Sequence, residues 1–277
     1  MFIGSEALKA GHLTRGRLRW NYTAIHPDVY IEKGTERTLE VNTRAAALWV
    51  PEGIVTGQAA AALHGVGFVD DNAPIELIGR SRRQRAGVIV RNERIDADEM
   101  TSVQGISVST PARTALDLAR HLPRVRAIEF LDALSGATGI APPTVLELAG
   151  RYGGVRGIRR ARHTLPLLDA GSQSPRESWL RMLLMDCGYP RPETQIMVSD
   201  AASVAFVDMG WRDVRIGLEY DGDQHRSDRH QFVKDIGRLE MLANLDWLII
   251  RVVKEHSRAY IAARVQDAFH RRFAKSA

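Results

Sequence analysis

The chain has 277 residues, 44% of them hydrophobic and 26% charged, the balance of a globular protein with a buried core and not of a disordered or collagen-like one. No apolar run reaches the roughly 18 residues of a membrane span, the N-terminus lacks the apolar centre of a signal peptide, and a single cysteine, Cys187, excludes an intramolecular disulfide and a multi-cysteine zinc site. A cytoplasmic protein with no membrane partner is the expectation. The net charge is +5, carried by 33 Arg and only five Lys: either the mark of a GC-rich genome or a surface for phosphate, which guanidinium grips bidentately.

Residues 1–38 read as a small helix–helix–hairpin unit. Ser5 to Ala10 is a short helical stretch, and Thr14 caps a second one, TRGRLRW, that carries Arg15, Arg17 and Arg19. Tyr22 to Ile31 follows as a strand pair turned at His26-Pro27-Asp28. This is the order of an abbreviated winged helix.

From 39 to 170 the pattern is mixed and mostly helical. LEVNTRAAALWV and TGQAAAALHG are Ala-rich helices, the second with Thr56 at its N-cap. Strands are expected at Ile75–Ile78 and Val88–Val90, flanking the basic turn RSRRQRAG. The stretch 80–94 holds six arginines against one Glu, and Arg80, Arg82, Arg83 and Arg85 make it a candidate contact with a phosphate backbone. Thr110-Pro111 opens the helix TPARTALDLAR with a cap and a proline at its first position. Helices near 124–135, 142–150 and 154–163 come next. Five arginines in 151–162 are either a solvated helix face or a phosphate track.

A Gly-Ser-Gln-Ser linker at 171–174 introduces a region of different texture, 171–277. SPRESWLRMLLMDCG is a helix capped by Ser174 and stopped by Gly188 and Pro190. Strands follow at Gln195–Val198, Val204–Met209 and Val214–Tyr220. A helix over Arg229–Asn244 has Phe232, Ile236, Leu239 and Ala243 on one face. Trp247–Val253 is a strand of the buried type, and Ala259–Phe273 closes the chain. The order α-β-β-β-α-β-α contains one parallel crossover, and the fold class expected for the whole is mixed α/β.

Acidic residues fall at strand ends in this last region. A short turn at Gly210–Asp213 would set Asp208 beside Glu219, while Glu219 and Asp221, two apart, share a strand face. Three carboxylates brought together repel one another unless a cation neutralises them. Hard oxygen ligands suit Mg²⁺ or Mn²⁺, which can activate water and offset charge on a scissile phosphate. His225 could shuttle a proton. Each residue also has a plain structural reading. Asp221-Gly222 is a common turn pair, Glu177 completes a capping box with Ser174, His225 lies in a polar loop, and Asp235 with Arg238 makes an intrahelical pair.

The blocks SPRESWLR, FVDMGW, VRIGLEYDGDQH and FVKDIGRLEMLANLDWLIIRV, over 174–256, resemble the very-short-patch-repair-like branch of the PD-(D/E)XK endonuclease superfamily. The resemblance implies a restriction-endonuclease-like domain. In it Glu177 stands for the acid of the first helix, Asp208 for the metal-binding Asp, Glu219 for the second acid, Asp221 and His225 for the DG…H signature, and Asp235 and Arg238 for D-x-x-R. The superfamily's E-x-K would place a lysine at 221, where this chain has Asp221; this branch often lacks that lysine, and Lys234 or His225 could substitute as base. The front two-thirds, through LTRGRL, HPDVYI, VTGQAAAALHG and STPARTALDLAR, resembles AbiEi antitoxin-like regulators. That likeness implies a DNA-binding winged-helix head, a middle domain and a cognate toxin as partner.

Two functions follow, beside the plainer reading of a protein-interaction module whose acidic cluster is only a turn. One is a DNA-binding, Mg²⁺-dependent endonuclease with Glu177, Asp208, Glu219, Asp221 and His225 in the catalytic site and Arg238 among its DNA contacts. The other is a non-catalytic DNA-binding regulator or antitoxin that keeps the nuclease fold as a scaffold.

Overall fold

Threonine and serine hydroxyls open five helices in the same manner, each accepting the amide three residues on. The pairs are Thr14 with Arg17, Thr38 with Val41, Thr110 with Arg113, Ser174 with Glu177 and Ser257 with Tyr260, at 3.2–3.4 Å. Such caps satisfy amides that have no partner within the helix. Thr14, Thr110 and Ser174 among them made three of the helix starts readable from sequence. The computed structural model describes residues 1–80, 85–201, 203–221 and 229–274, the first seven of the last segment by backbone alone. The chain forms two compact units, Met1–Leu168 and Asp169–Ala277, and the fold is mixed α/β, with three sheets among the described residues.

The first unit begins with β1 (Phe2–Ile3), α1 (Gly4–Lys9), α2 (Arg15–Asn21), β2 (Tyr22–His26) and β3 (Val29–Glu32). The strands form a small antiparallel sheet in the order β1-β3-β2, turned at Asp28 with a left-handed φ of 63°. Leu18, Val29 and Ile31 are its buried residues.

There follow α3 (Leu39–Trp49), β4 (Ile54–Thr56), α4 (Gly57–Leu63), β5 (Ile75–Ile78), β6 (Val88–Arg91), β7 (Met100–Val103), β8 (Ile106–Ser109), α5 (Pro111–His121), α6 (Arg124–Thr138), α7 (Pro142–Gly150) and α8 (Ile158–Thr164). The strands make a five-stranded sheet in the order β6-β5-β4-β8-β7. Val55, Ile75, Leu77 and Val108 of that sheet pack with Ala46, Ala59 and Ala60 of α3 and α4.

Helices dominate the middle region, as expected; the correction concerns its strands, since β4, β7 and β8 join the two that were expected. β4, at three residues, is too short for a period to be read, while β8 does alternate, Ile106-Ser107-Val108-Ser109, but over a single four-residue span. The signal that was available is the pair Gln104-Gly105, with φ of 50° and 76°, a two-residue hairpin turn between β7 and β8. β5 and β6 run parallel, so these two strands do not form a hairpin. Thr56 is the N-cap residue of α4 as expected, with one correction to its role. Its hydroxyl does not cap α4; it donates to Asp117 Oδ2 at 2.7 Å.

The second unit is α9 (Pro175–Asp186), β9 (Glu193–Ser199), β10 (Val204–Trp211), β11 (Ile216–Tyr220), α10 (Arg229–Asn244), β12 (Leu248–Val252) and α11 (Arg258–Ala274). Its four-stranded sheet has the order β12-β11-β10-β9, antiparallel except where β11 and β12 pair in parallel across α10. Leu180, Leu183 and Leu184 of α9 and Ile261 and Val265 of α11 share one apolar cluster with Met209 and Leu218. Met241 and Leu242 of α10 share another with Ile196 and Val207. The buried face of α10 therefore differs from the expected one: Ile236 is 43% exposed and Ala243 is exposed. Two apolar stripes lie side by side on this helix, and packing chose the one with Met241 and Leu242. Phe232 is described by backbone only.

Candidate functional site

Pairing of β10 with β11 places the acids. Met209 faces Leu218 in register, and one step further sets Asp208 across from Glu219. The Tyr220 amide donates to Asp208 Oδ2 at 2.9 Å. Asp208 lies within β10, not at its end, and Asp221 lies one residue past β11.

Glu219, 6% exposed, is held by guanidinium. Arg238 of α10 donates Nη2 to Oε2 at 2.9 Å and Nη1 to Oε1. Arg251, which faces Glu219 in the parallel pair, brings Nε to 4.0 Å from Oε2 and Nη2 to 3.8 Å from Asp221 Oδ2. The cation that the sequence argument asked for is thus supplied by the chain itself. Arg251 escaped that argument, because only parallel pairing of β12 brings it beside the acids.

Glu177 is the N3 residue of a capping box. Its Oε2 accepts the Gln173 amide at 2.9 Å and its Oε1 accepts the Ser174 hydroxyl at 2.8 Å. It still bears on Asp208. Burial first, then the charges of Glu177 and Glu219, push the Asp208 carboxyl up to about 6 against the opposing Tyr220 amide and Arg238. Burial also raises Glu177. The fold therefore brings Glu177, Asp208, Glu219 and Arg238 into one electrostatic neighbourhood. His225 lies outside the described residues, as do the side chains of Lys234 and Asp235.

A divalent cation needs several carboxylate oxygens aimed at one point. Among the described residues, the groups of three whose ligand atoms lie within 4.8 Å of one another are Glu93, Asp117, His121 and Asp96, Asp98, Glu99; Asp208, Glu219 and Asp221 are not such a group. With Glu219 engaged by Arg238, the donor set as folded does not fit a metal.

The basic residues divide by whether they are spent. Arg15, Arg17 and Arg19 are exposed on α2 and make no ion pair among the described residues. Arg80 and Arg85 are exposed, and Arg82 and Arg83 lie outside the described residues. Burial, then Arg37 and Arg85, lower the pKa of His26 at the tip of the β2–β3 hairpin, so Arg85 lies close to the head. Arg238 gives two N–H bonds to Glu219. In the 151–162 run, Arg151 pairs with Asp98 at 2.5 Å and Arg162 donates to the Ala149 carbonyl at 3.2 Å.

The motif STPARTALDLAR is internal. Arg113, fully buried, donates to Glu99 Oε2 at 2.6 Å, Asp117 Oδ2 at 3.0 Å, the Arg94 carbonyl at 2.9 Å and the Tyr152 hydroxyl at 2.7 Å. Arg120 joins Asp117 at 3.0 Å to Glu93 at 2.6 Å. Burial opposes ionisation of Glu93, yet bonds from His121 and Arg120 hold its carboxyl at about 2. The two candidate ligand groups above belong to this network and are neutralised by arginine. Sequence reasoning read the motif as a capped helix and missed the charge lattice, for which Arg and Asp four apart beside Arg120 were the available sign.

Comparison with known proteins defines the class first. Residues 45–167 match the AbiEi antitoxin C-terminal domain family, so the middle of this chain is AbiEi-like. Two relatives are uncharacterized proteins of Mycobacterium tuberculosis, MT2308 of strain CDC 1551 / Oshkosh and Rv2248 of strain ATCC 25618 / H37Rv. Each is 30% identical over 211 residues, covering 74% of this chain and 77% of the relative. The chain belongs to the family of these mycobacterial proteins.

Proposed function

We propose that the protein is a DNA-binding regulator of the antitoxin type, acting with a cognate toxin, and that its C-terminal unit keeps an endonuclease-like frame as a scaffold without catalysis. The observation that carries this reading is the engagement of Glu219 by Arg238, with Arg251 beside Glu219 and Asp221. A carboxylate bonded to guanidinium through both oxygens has its charge compensated and one lone pair of each oxygen engaged, so a metal would have to compete with Arg238 for it. The AbiEi-like middle region and the unpaired arginines of α2 support the DNA-binding half. The likeness of the C-terminal unit to the very-short-patch-repair-like branch rests on the sequence blocks and on the α-β-β-β-α-β order; a fold of that kind does not by itself carry chemistry.

A gel-shift assay with the DNA upstream of the protein's own gene tests the reading. Sequence-preferring, salt-sensitive retention is expected, lost on removal of residues 1–38. Unchanged retention by the truncated chain would refute a head-directed regulator.

An Mg²⁺- or Mn²⁺-dependent endonuclease is the second reading, favoured by the raised Asp208 carboxyl next to Glu177 and Glu219. It requires Arg238 to leave Glu219. Calorimetry with Mn²⁺, followed by incubation with supercoiled DNA, separates the two. Heat and nicking by the wild type, both absent in Asp208→Ala/Glu219→Ala, would establish the enzyme.

A further inference from the structure

Only Leu18 of α2 is buried. Residues four apart on a helix stack on one face, and the later side chain leans over the earlier one. Gly16 and Trp20 are such a pair, on the side turned away from Leu18. Trp20 is 76% exposed, the most exposed large hydrophobic residue among those described, and no aromatic or guanidinium partner covers it there. At Gly16 a Cβ would meet only Thr14 Oγ1 at 3.8 Å, so packing does not demand glycine, although glycine weakens a helix relative to alanine. Arg15 and Arg19 flank the pair on one side and Arg17 on the other. The surface is a bare stretch of backbone one turn before an exposed indole, between unpaired cations.

We infer that Trp20 is a DNA-contact residue whose indole packs against a base or its deoxyribose, with Gly16 letting the α2 backbone approach the strand. The inference rests on the DNA-binding reading above and adds to it an apolar, salt-independent contact. The unpaired arginines select a polyanion, and the flat ring selects one that also offers apolar planes, which nucleic acid does. An anionic membrane fits less well, because Leu18 is turned into the core and leaves Trp20 as the sole large apolar side chain on the exposed sides of the helix.

The test uses the full chain and fluorescein-labelled random-sequence DNA, single-stranded and duplex, titrated over a salt series. Trp20→Ala is expected to weaken binding about fivefold or more, the lower end for loss of one stacked aromatic, with the slope of log affinity against log salt unchanged. Trp20→Phe should recover most of the loss. Arg17→Ala should instead lower the slope by about one. Gly16→Ala should raise Tm while weakening binding, which a purely structural role would not do. Wild-type affinity in Trp20→Ala, with the Arg17→Ala defect present, overturns this inference and leaves the DNA-binding reading standing. No binding by any form, the wild type included, overturns both. Loss in Trp20→Ala of self-association, or of binding to phosphatidylserine vesicles, without loss of DNA binding would assign the indole to those partners and overturn the inference.

Discussion

The smallest decisive feature is one carboxylate and the arginine that occupies it. Glu219 is nearly buried and doubly bonded to Arg238, whose side chain is 25% exposed. Removing one partner of a fully buried pair costs about 3–5 kcal/mol; the partial exposure of Arg238 lowers the expectation for Arg238→Ala to about 2 kcal/mol by urea unfolding. The same variant frees both oxygens of Glu219, so a heat of Mn²⁺ binding absent from the wild type is expected; silence in both would show that the acids lack the geometry for a metal even when released. Asp208 gives a pH-dependent counterpart. Its folded pKa of about 6 lies above the ordinary aspartate value of 3.8, so protonation favours the folded state, and the associated stability, full below about pH 4, is lost as pH rises through about 6. Asp208→Asn should therefore raise stability at pH 8 by up to about 3 kcal/mol, from roughly two pKa units at about 1.36 kcal/mol each, and by little at pH 4. A Tm difference that does not vary with pH would refute the assigned shift.

At the level of the element, caps and turns carry the argument. Ser174 both accepts the Glu177 amide and donates to its carboxylate. Ser174→Ala should cost about 1 kcal/mol and leave Glu177 less firmly placed beside Asp208, which a change in the Asp208 titration by NMR would register. Arg113 of α5 is more demanding. It is fully buried and joins Glu99, Asp117 and Tyr152, so Arg113→Ala leaves two buried carboxylates short of a cation. A loss of about 3–5 kcal/mol in chemical unfolding is expected; a loss under about 1 kcal/mol would show that water replaces the guanidinium readily. These elements also mark how far the sequence could be read. Thr14, Thr110-Pro111 and Ser174-Pro175 announced α2, α5 and α9. β4 and β8, only three and four residues long, were too short to stand out, and Ile236 misled because α10 carries two adjacent apolar stripes.

For the molecule as a whole, the distribution of unpaired charge matters more than its sum. Many arginines are consumed internally, as with Arg113, Arg120 and Arg238, whereas Arg15, Arg17 and Arg19 stand exposed and unpaired on α2, and Arg85 lies close to the hairpin tip. Replacing all three α2 arginines by alanine should reduce the slope of log affinity against log salt by about three, near one for each phosphate left without its cation. An unchanged slope would move the DNA interface away from the head. No described helix is long and apolar enough to cross a membrane.

The sequence by itself determined the local grammar of this protein: helix starts, because caps and prolines act within three residues; the α-β-β-β-α-β order of the last hundred residues; and the juxtaposition of Asp208 with Glu219, because a short turn leaves two antiparallel strands little choice of register. Tertiary structure alone decided what those acids face. Arg238 arrives from the crossover helix and Arg251 from the parallel strand beyond it, 19 and 32 positions along the chain from Glu219, separations that no spacing rule encodes. The same holds for STPARTALDLAR, whose arginines turn inward to Glu93 and Glu99 because a buried guanidinium is tolerated only where carboxylates meet it. Whether a charge serves a ligand or the fold depends on its neighbours in space, and those are fixed when the sheets close.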